Sequence, residues 1–291
     1  MHDIIIIGAG PAGISAALYA RRANTQVLVL HHGQSALGRT ERIENYYGFA
    51  GGIGGAELYR AGIEQARQLG VELAEQEALG IQFSDSGATY LVRTSVAEYE
   101  CKSVIIATGS KKLRPNIPGI AEFEGRGVSY CAVCDGFFYR GKSVAVIGSG
   151  TYALSEASEL SHITGAVQIL SNGLDTAELD SANERGIPVV RARISAVRGE
   201  QRVTAVAFED GTELAVDGLF VALGAAGAGD FAKKLGVLTE GDRIVVNDNM
   251  ETNVPGIYSC GDCAGGLLQV AKAVYEGAQA GLKAAQYART H

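Results

Sequence analysis

The sequence contains no tryptophan, and only 5 prolines and 2 methionines occur among its 291 residues. The scarcity of proline and the absence of internal repeats exclude a proline-rich linker and a repeat protein. No run of about 18 apolar residues occurs, so no membrane-spanning helix is expected. Positive charge is not in excess, and the net charge of −7 argues against a nucleic-acid-binding protein. Met1 leads directly into an apolar segment, which predicts no signal peptide and a cytoplasmic protein.

Glycine, in contrast, is abundant, with 39 residues that are spread along the chain. Glycine outside low-complexity sequence indicates tight turns and places where the backbone approaches a ligand closely. The length is sufficient for two globular domains.

The five cysteines include two Cys-x-x-Cys pairs, Cys131 with Cys134 and Cys260 with Cys263. In a chain without an export signal, such pairs indicate catalysis or metal binding and not a secreted disulfide framework. Asp135 directly follows the first pair, and a carboxylic acid there can exchange a proton with a leaving thiolate. From these residues alone, a redox pair, half of a zinc site and a structural disulfide all stay open.

A Gly-x-Gly-x-x-Gly turn lies near the start of the chain. It consists of Gly8, Gly10 and Gly13, and it joins the apolar run 3–7 to an alanine-rich helix predicted over 14–22. The first glycine permits the turn, the second admits a pyrophosphate, and the third lets helix and strand touch. This strand–turn–helix context predicts dinucleotide binding.

The next strand, predicted over 26–30, ends at His31 and His32. An acid that binds the adenosine ribose is expected at this place. We therefore expect His32 to lie beside the ribose or adenine.

A second strand–turn–helix unit begins with a strand predicted over 142–147, followed by Gly148, Gly150 and Ala153. Two such units predict an α/β fold of two nested Rossmann-like dinucleotide-binding domains. Residues 111–118 contain two prolines and are interpreted as a hinge between them.

Several segments together carry a resemblance to a known family. They are Gly8–Gly13, Glu44–Asn45, Ala107–Gly109, Cys131–Gly136, Gly261–Asp262 and Gln269–Ala271. Their order along nearly the whole chain resembles that of low-molecular-weight thioredoxin reductases, and most closely the NADPH-independent, ferredoxin-dependent flavin thioredoxin reductases.

The resemblance implies a homodimeric flavoprotein with a discontinuous FAD-binding domain, residues 1–111 and 247–291, and an inserted central domain, residues 115–246. FAD would contact Gly8, Gly10, Gly13, Asn45, Ala107, Gly109, Gly261, Asp262, Gln269, Val270 and Ala271. The helix after Gln269 would stabilise negative charge on the reduced flavin.

The resemblance also implies the roles of the first cysteine pair. Cys131 would attack the disulfide of thioredoxin or a similar protein, Cys134 would face the flavin, and Asp135 would act as acid and base. No metal is expected.

The second nucleotide-binding unit departs from the family pattern. Thioredoxin reductases that use NADPH carry a basic cluster after the next strand, but residues 171–176 of this chain read Ser-Asn-Gly-Leu-Asp-Thr without a cation. Arginine is the expected partner of a 2′-phosphate. We therefore expect reduced ferredoxin, and not NADPH, to be the electron donor.

Three alternatives stay open. The protein is an ordinary NADPH-dependent reductase, a flavoprotein that oxidises dithiols, or an FAD-binding protein without turnover whose two cysteine pairs hold zinc. The predicted last helix, 268–289, carries alanine and glycine on one face, which suits close packing at a dimer interface. Cys101, Cys260 and Cys263 are expected to be buried thiols.

Overall fold

The computed structural model describes residues 1–33, 35–85, 87–109, 115–130, 132–224, 228–241 and 243–291, without the side chains of Ala36, Arg39, Val133 and Cys134. The chain divides into two compact units, residues 1–111 with 227–291, and residues 112–226. Residues 111–114, half of the predicted hinge, lie outside the described residues.

The described residues of the first segment form six strands and two α-helices. They are β1 (His2–Ile7), α1 (Pro11–Arg22), β2 (Val27–His31), α2 (Gly55–Gln68), β3 (Glu72–Glu75), β4 (Ala78–Phe83), β5 (Tyr90–Thr94) and β6 (Glu98–Ile106). The central strands are nearly continuous apolar runs, as expected for parallel strands that are covered on both faces. Ile4, Ile5 and Ile6 are fully buried, and each contributes about 1.5–3 kcal/mol through its side chain.

The inserted segment forms a second sheet with helices. Its elements are β7 (Val128–Ser129), α3 (Ala132–Asp135), β8 (Ser143–Ile147), α4 (Thr151–Ser161), β9 (Ala166–Leu170), α5 (Ala177–Glu184), β10 (Val189–Val190), β11 (Ile194–Gly199), β12 (Val203–Phe208), β13 (Glu213–Ala215) and β14 (Gly218–Val221). The strand order β10-β9-β8-β14-β7 is parallel throughout, and β11-β12-β13 form a separate antiparallel sheet.

The last segment returns to the first sheet. It contains α6 (Ala228–Leu235), β15 (Thr239–Glu240), β16 (Arg243–Ile244), β17 (Ile257–Ser259), a 3-10 turn (Gly261–Ala264) and α7 (Val270–Thr290). The first sheet has the order β3-β2-β1-β6-β5-β4, and β17 pairs in parallel with the end of β6. The predicted α/β class with two nested dinucleotide-binding folds is confirmed.

The boundary after the insert differs from the predicted position at residue 247. Residues 227–246 belong to the first unit, because α6 packs against β4 and β16. Phe231 and Ala232 of α6 are buried.

The small-residue face of α7 is used within the chain, contrary to the predicted use at a dimer interface. Gly277 and Gly281 lie directly against the backbone of Ala12 and Ala16 in α1, where any Cβ would overlap a carbonyl oxygen. The glycines and alanines of α7 thus allow two helices of one unit to approach closely.

The apolar run 214–222 is divided between two strands of different sheets. β13 belongs to the antiparallel sheet and β14 to the parallel one. Asp217 lies between them, where its backbone N–H donates to Ser143 O at 2.8 Å and its carboxylate accepts from Ser143 N–H at 2.9 Å. These bonds turn the chain from one sheet to the other.

Within the described residues, no helix is long and apolar enough to cross a lipid bilayer. Among these described residues, no group of three or more His, Cys, Asp or Glu side chains is arranged to bind a metal ion.

Candidate functional site

A cavity of about 640 Å³ lies in the first unit, at the carboxyl ends of β1, β2, β6 and β17. This edge of a parallel sheet is where dinucleotides bind in doubly wound folds, and the volume is typical of a small-molecule site. Ten of the residues predicted from the sequence line it: Gly8, Gly10, His32, Asn45, Ala107, Gly109, Gly261, Asp262, Gln269 and Val270. Gly13 and Ala271 are not among its lining residues.

The glycine turn between β1 and α1 has a different steric requirement at each position. Gly8 has φ +111°, and a Cβ there would overlap the carbonyl of Ala107. A Cβ on Gly13 would overlap the carbonyl of Gly8. A Cβ on Gly10 would meet only Ser35 Oγ at 3.5 Å, so this glycine leaves open space. Gly8 and Gly13 therefore serve the turn itself, whereas Gly10 keeps the cavity clear beside the N-terminus of α1.

Two buried polar atoms of the cavity wall have no hydrogen-bond partner among the described residues, His31 Nδ1 and Thr108 Oγ1. Buried polar groups are nearly always satisfied, so both atoms fit a polar ligand in the cavity. Burial lowers the pKa of the His31 imidazole, and the Glu75 carboxylate partly opposes the shift. A dinucleotide, with its ribose hydroxyls and phosphates, is compatible with this lining.

Asn45 and Gln269 are far apart in sequence and meet in the structure. Asn45 Nδ2 donates to Gln269 Oε1 at 2.8 Å. The bond joins the loop before α2 to the residue that precedes α7. Helix α7 begins at Val270, two residues later than the predicted start at residue 268, and its 21 residues direct the positive end of the helix dipole toward the cavity.

The second cysteine pair lies at the 3-10 turn beside this cavity. Cys260 and Cys263 are free and buried, as predicted. Cys263 Sγ donates to Ile106 O at 3.2 Å and to Cys260 O at 3.1 Å. Burial raises the pKa of both thiols, so the thiolate that metal binding and disulfide exchange require is disfavoured. Cys101 is also a buried free thiol, and burial raises its pKa to about 12.

The first cysteine pair lies in the second unit, where Cys131 and the side chain of Cys134 are outside the described residues. The backbone of the pair is described from Ala132 onward, in the short helix α3. Two contacts hold this segment, one through its backbone and one through the side chain of Asp135. Ala132 N–H donates to Glu156 Oε2 at 3.0 Å, and Glu156 is only 2% exposed. Ser129 Oγ donates to Asp135 Oδ2 at 2.6 Å.

The residues that follow the pair present two aromatic rings to solvent. Phe137 is 63% and Phe138 68% exposed, and the guanidinium of Arg140 lies 4.9 Å from the centroid of the Phe137 ring. Tyr130 and Tyr139 are buried in the same region. An exposed aromatic pair with a neighbouring cation is unusual on a free surface and is typical of an interface with another protein.

The glycine turn of the second unit joins β8 to α4 as in a nucleotide-binding fold. Gly148 packs under the carbonyl of Ala222, and a Cβ on Gly150 would meet nothing within 4 Å. Thr176 Oγ1 donates to the carbonyl of Ser149 in this turn.

Two arginines border the loop 171–176. Arg191 Nε lies 3.1 Å from Asp175 Oδ1, and its Nη2 lies 3.7 Å from Asp180 Oδ1. The Arg191 charge is therefore shared by two carboxylates. Arg193 lies against Gly173, where a Cβ would approach Arg193 Cγ to 2.9 Å.

Sequence reasoning missed several residues of these sites, namely Thr108, Ser129, Glu156, Lys272 and Glu276. Thr108 follows a buried strand and could have been found by that position. Lys272 and Glu276 have the i, i+4 spacing of a helical ion pair. Ser129 and Glu156 carried no local signal, because their partners are set by the tertiary fold.

Comparisons with known proteins agree with this geometry. Residues 2–277 match the family model described as pyridine nucleotide-disulphide oxidoreductase. The thioredoxin reductase of Treponema pallidum (strain Nichols) is 38% identical over 99% of this chain and 98% of its own.

Solved structures of related proteins cover the whole chain. The atypical thioredoxin reductase TRi from Desulfovibrio vulgaris Hildenborough matches with a TM-score of 0.94 and 39% identity over 100% of this chain and 99% of its own. A ferredoxin-flavin thioredoxin reductase from Clostridium acetobutylicum matches with a TM-score of 0.74 and 34% identity over the same shares.

Proposed function

Because the chain belongs to the thioredoxin reductases of the pyridine nucleotide-disulphide oxidoreductase family, we propose that it reduces the disulfide of a thioredoxin-like protein through Cys131 and Cys134. We propose further that its electron donor is reduced ferredoxin and not NADPH. The observation that carries the choice of donor is the acidic loop beside the glycine turn of the second unit.

The protein is an oxidoreductase, and FAD is its cofactor. We assign FAD to the cavity of the first unit, so that residues 1–111 and 227–291 are the FAD-binding domain. The open space at Gly10 would receive the pyrophosphate, and Asp262 would bind the ribityl chain. His32 and the unpartnered His31 Nδ1 would face the adenosine end. Once two reduced ferredoxins have delivered one electron each, bound FAD would supply the electron pair that reduces the Cys131–Cys134 disulfide.

The chemistry of the second unit is thiol–disulfide exchange. The Cys131 thiolate attacks the partner disulfide, so that a mixed disulfide forms and one partner thiolate leaves. Cys134 then attacks Cys131 Sγ, which restores the Cys131–Cys134 disulfide and releases the second partner thiolate. Asp135 transfers the protons, and Ser129 holds its carboxylate in place. The exposed Phe137, Phe138 and Arg140 would form part of the surface that receives the partner.

The loop beside the second glycine turn carries negative charge where the 2′-phosphate of NADPH would need a cation. Asp175 lies in this loop, and the nearby Arg191 is engaged by Asp175 and Asp180. A phosphate there would have to compete with two carboxylates for one guanidinium. This arrangement supports a donor other than NADPH, and one structural relative is a ferredoxin-flavin enzyme.

The ordinary NADPH-dependent reaction is the second candidate, and one observation favours it. The exposed Arg193 lies against Gly173, at the edge of the same loop, and a guanidinium there could reach a 2′-phosphate. If NADPH is the donor, Arg193→Ala must weaken NADPH binding strongly, whereas Arg191→Ala must not.

A homodimer in the cytoplasm is part of the proposal. Reduction of thioredoxin-like disulfides belongs to a reducing compartment. In the first unit, Tyr19, Tyr47 and Phe49 border a second cavity of about 550 Å³ and are exposed. This apolar surface supports a contact with a second copy of the chain, which light scattering of the holoprotein would test.

The test of the redox pair uses anaerobic holoprotein, reduced ferredoxin and an oxidised thioredoxin. Cys131→Ala and Cys134→Ala should each abolish thioredoxin reduction while FAD stays bound. Cys101→Ala, which removes a buried thiol of β6, is the matched control and should keep the activity. If Cys131→Ala still reduces thioredoxin, the assignment of the redox pair is wrong.

A further inference from the structure

An ion pair on α7 binds both backbone polar groups of one residue in the cofactor site, the N–H and the carbonyl oxygen of Gly261. Lys272 Nζ lies 2.8 Å from Glu276 Oε2, and the two side chains are only 15% and 12% exposed. Glu276 Oε2 also accepts from Gly261 N–H at 2.8 Å, while Lys272 Nζ donates to Gly261 O at 2.9 Å and to the carbonyl of Gly265. We call this arrangement the α7 clasp.

The clasped residue begins the 3-10 turn that carries Asp262. Gly261 has φ +79°, and a Cβ there would come within 2.7 Å of Ala12 Cβ. The turn is thus confined between α1 on one side and the clasp on the other. Its position leaves Asp262 in the wall of the cavity.

The clasp also joins two separate parts of the cofactor site. Lys272 lies in the first turn of α7, two residues after Val270, which lines the cavity at the positive end of the helix dipole. Neither Lys272 nor Glu276 lines the cavity itself. The pair therefore does not contact a ligand in the cavity. It affects ligand binding by fixing the distance between Asp262 and the N-terminus of α7.

We propose that Lys272 and Glu276 are positioning residues for FAD. They fix the carboxylate of Asp262 against the α7 N-terminus, so that both reach one cofactor at the same time. The proposal does not depend on the electron donor or on the redox role of Cys131.

The roles of the two residues are unequal, which makes the proposal testable. Glu276→Gln keeps an oxygen that accepts from Gly261 N–H but loses the ion pair, whereas Glu276→Met loses both. Lys272→Met loses the bonds to two carbonyls, and an apolar side chain of similar length keeps the packing. Lys272→Arg keeps the charge and the donors. Lys283→Met, farther along α7, is the matched control.

The experiment titrates FAD into the apoprotein and records flavin fluorescence, and then the visible circular dichroism of the bound flavin at saturating FAD. Glu276→Met and Lys272→Met should each weaken FAD binding about tenfold, the loss of a charge-assisted hydrogen bond. Glu276→Gln should weaken it less, and Lys272→Arg should restore most of the affinity. The dichroism of the two methionine variants should change, because the flavin is held in a different position.

A charge-reversed double variant, Lys272→Glu with Glu276→Lys, separates positioning from simple ion pairing. It can form an ion pair again, but an ammonium would face Gly261 N–H, so FAD affinity should stay low. Recovery of affinity in this variant would overturn the proposal. The proposal would also be overturned if Lys272→Met bound FAD with the same affinity and the same dichroism as the control Lys283→Met.

Discussion

The hydroxyl of Ser129 donates to Asp135 Oδ2 at 2.6 Å. The bond connects the end of β7 to the last residue of α3, and the two residues enclose the Cys131–Cys134 segment. β7 is paired with β14 in the parallel sheet. The carboxylate of Asp135 is therefore held by the sheet and not only by its own short helix.

Ser129→Ala should slow thiol–disulfide exchange with thioredoxin about tenfold, because a hydrogen bond to a charged group is lost. Asp135→Asn should slow the same reaction by about 10²- to 10⁴-fold, the range for loss of a general acid and base. The measurement is the rate of thioredoxin reduction by pre-reduced enzyme, with Ser161→Ala of α4 as control. An unchanged rate in Ser129→Ala beside a slow Asp135→Asn would show that the serine does not position the carboxylate.

Glu156 is a buried side chain whose partner is the backbone of the redox segment. Glu156→Ala should lower the free energy of unfolding by about 1–3 kcal/mol, because Ala132 N–H is left buried without an acceptor. Glu156→Gln keeps an acceptor and should lose less. Thermal unfolding of both variants, with the exposed Glu184→Ala as control, measures the effect. Equal stability of Glu156→Ala and the control would contradict this role.

Two glycines of the first turn should respond to alanine in different ways. Gly13→Ala should destabilise the apoprotein, because the new Cβ overlaps the carbonyl of Gly8. Gly10→Ala should leave the apoprotein stable and weaken FAD binding, because its Cβ meets only Ser35 Oγ at 3.5 Å and projects into the cofactor space. Melting of the apoproteins and FAD titration separate the two effects. If Gly10→Ala bound FAD with full affinity, the pyrophosphate of FAD could not bind beside this turn.

The thiols should divide into two groups when the reduced native protein is alkylated with iodoacetamide. Cys260 and Cys263 should stay unlabelled at neutral pH, because burial raises their pKa and blocks access. Cys101, with a pKa of about 12, should stay unlabelled up to about pH 10, since the thiolate is the reactive form. Labelling should appear at Cys131 and Cys134 alone, as read by peptide mass spectrometry. Stoichiometric zinc that protects both pairs would instead support the zinc-binding alternative.

The fold could be predicted from the sequence where burial alone determines the pattern of apolar residues. The apolar runs of β1, β2 and β8 are covered on both faces, so each is a continuous hydrophobic segment between turns. The apolar run 214–222 does not form one strand, because the bonds of Asp217 to Ser143 on a distant strand divide it between two sheets.

The candidate site was predictable in its glycine turns and less so in its supporting contacts. Gly8 and Gly10 could be identified from their position directly after a strand, because the need for glycine in the turn depends on local sequence alone. The bond between Asn45 and Gln269, and that between Ala132 and Glu156, join residues that only the tertiary fold brings together. Arg193 was missed because the cation near the loop 171–176 comes from a neighbouring segment and not from the loop itself.

Anaerobic reduction of the bound flavin tests most directly whether reduced ferredoxin, and not NADPH, is the electron donor. The holoprotein would be mixed in parallel with NADPH, with NADH and with photochemically reduced ferredoxin, and the visible flavin absorbance would be followed. We expect rapid bleaching by ferredoxin and none by NADPH, because Asp175 and Asp180 occupy the guanidinium of Arg191 that the 2′-phosphate would need. We also expect none by NADH, which lacks that phosphate, if ferredoxin is the sole donor. Rapid bleaching by NADPH, lost in Arg193→Ala, would contradict the account and identify an ordinary NADPH-dependent reductase.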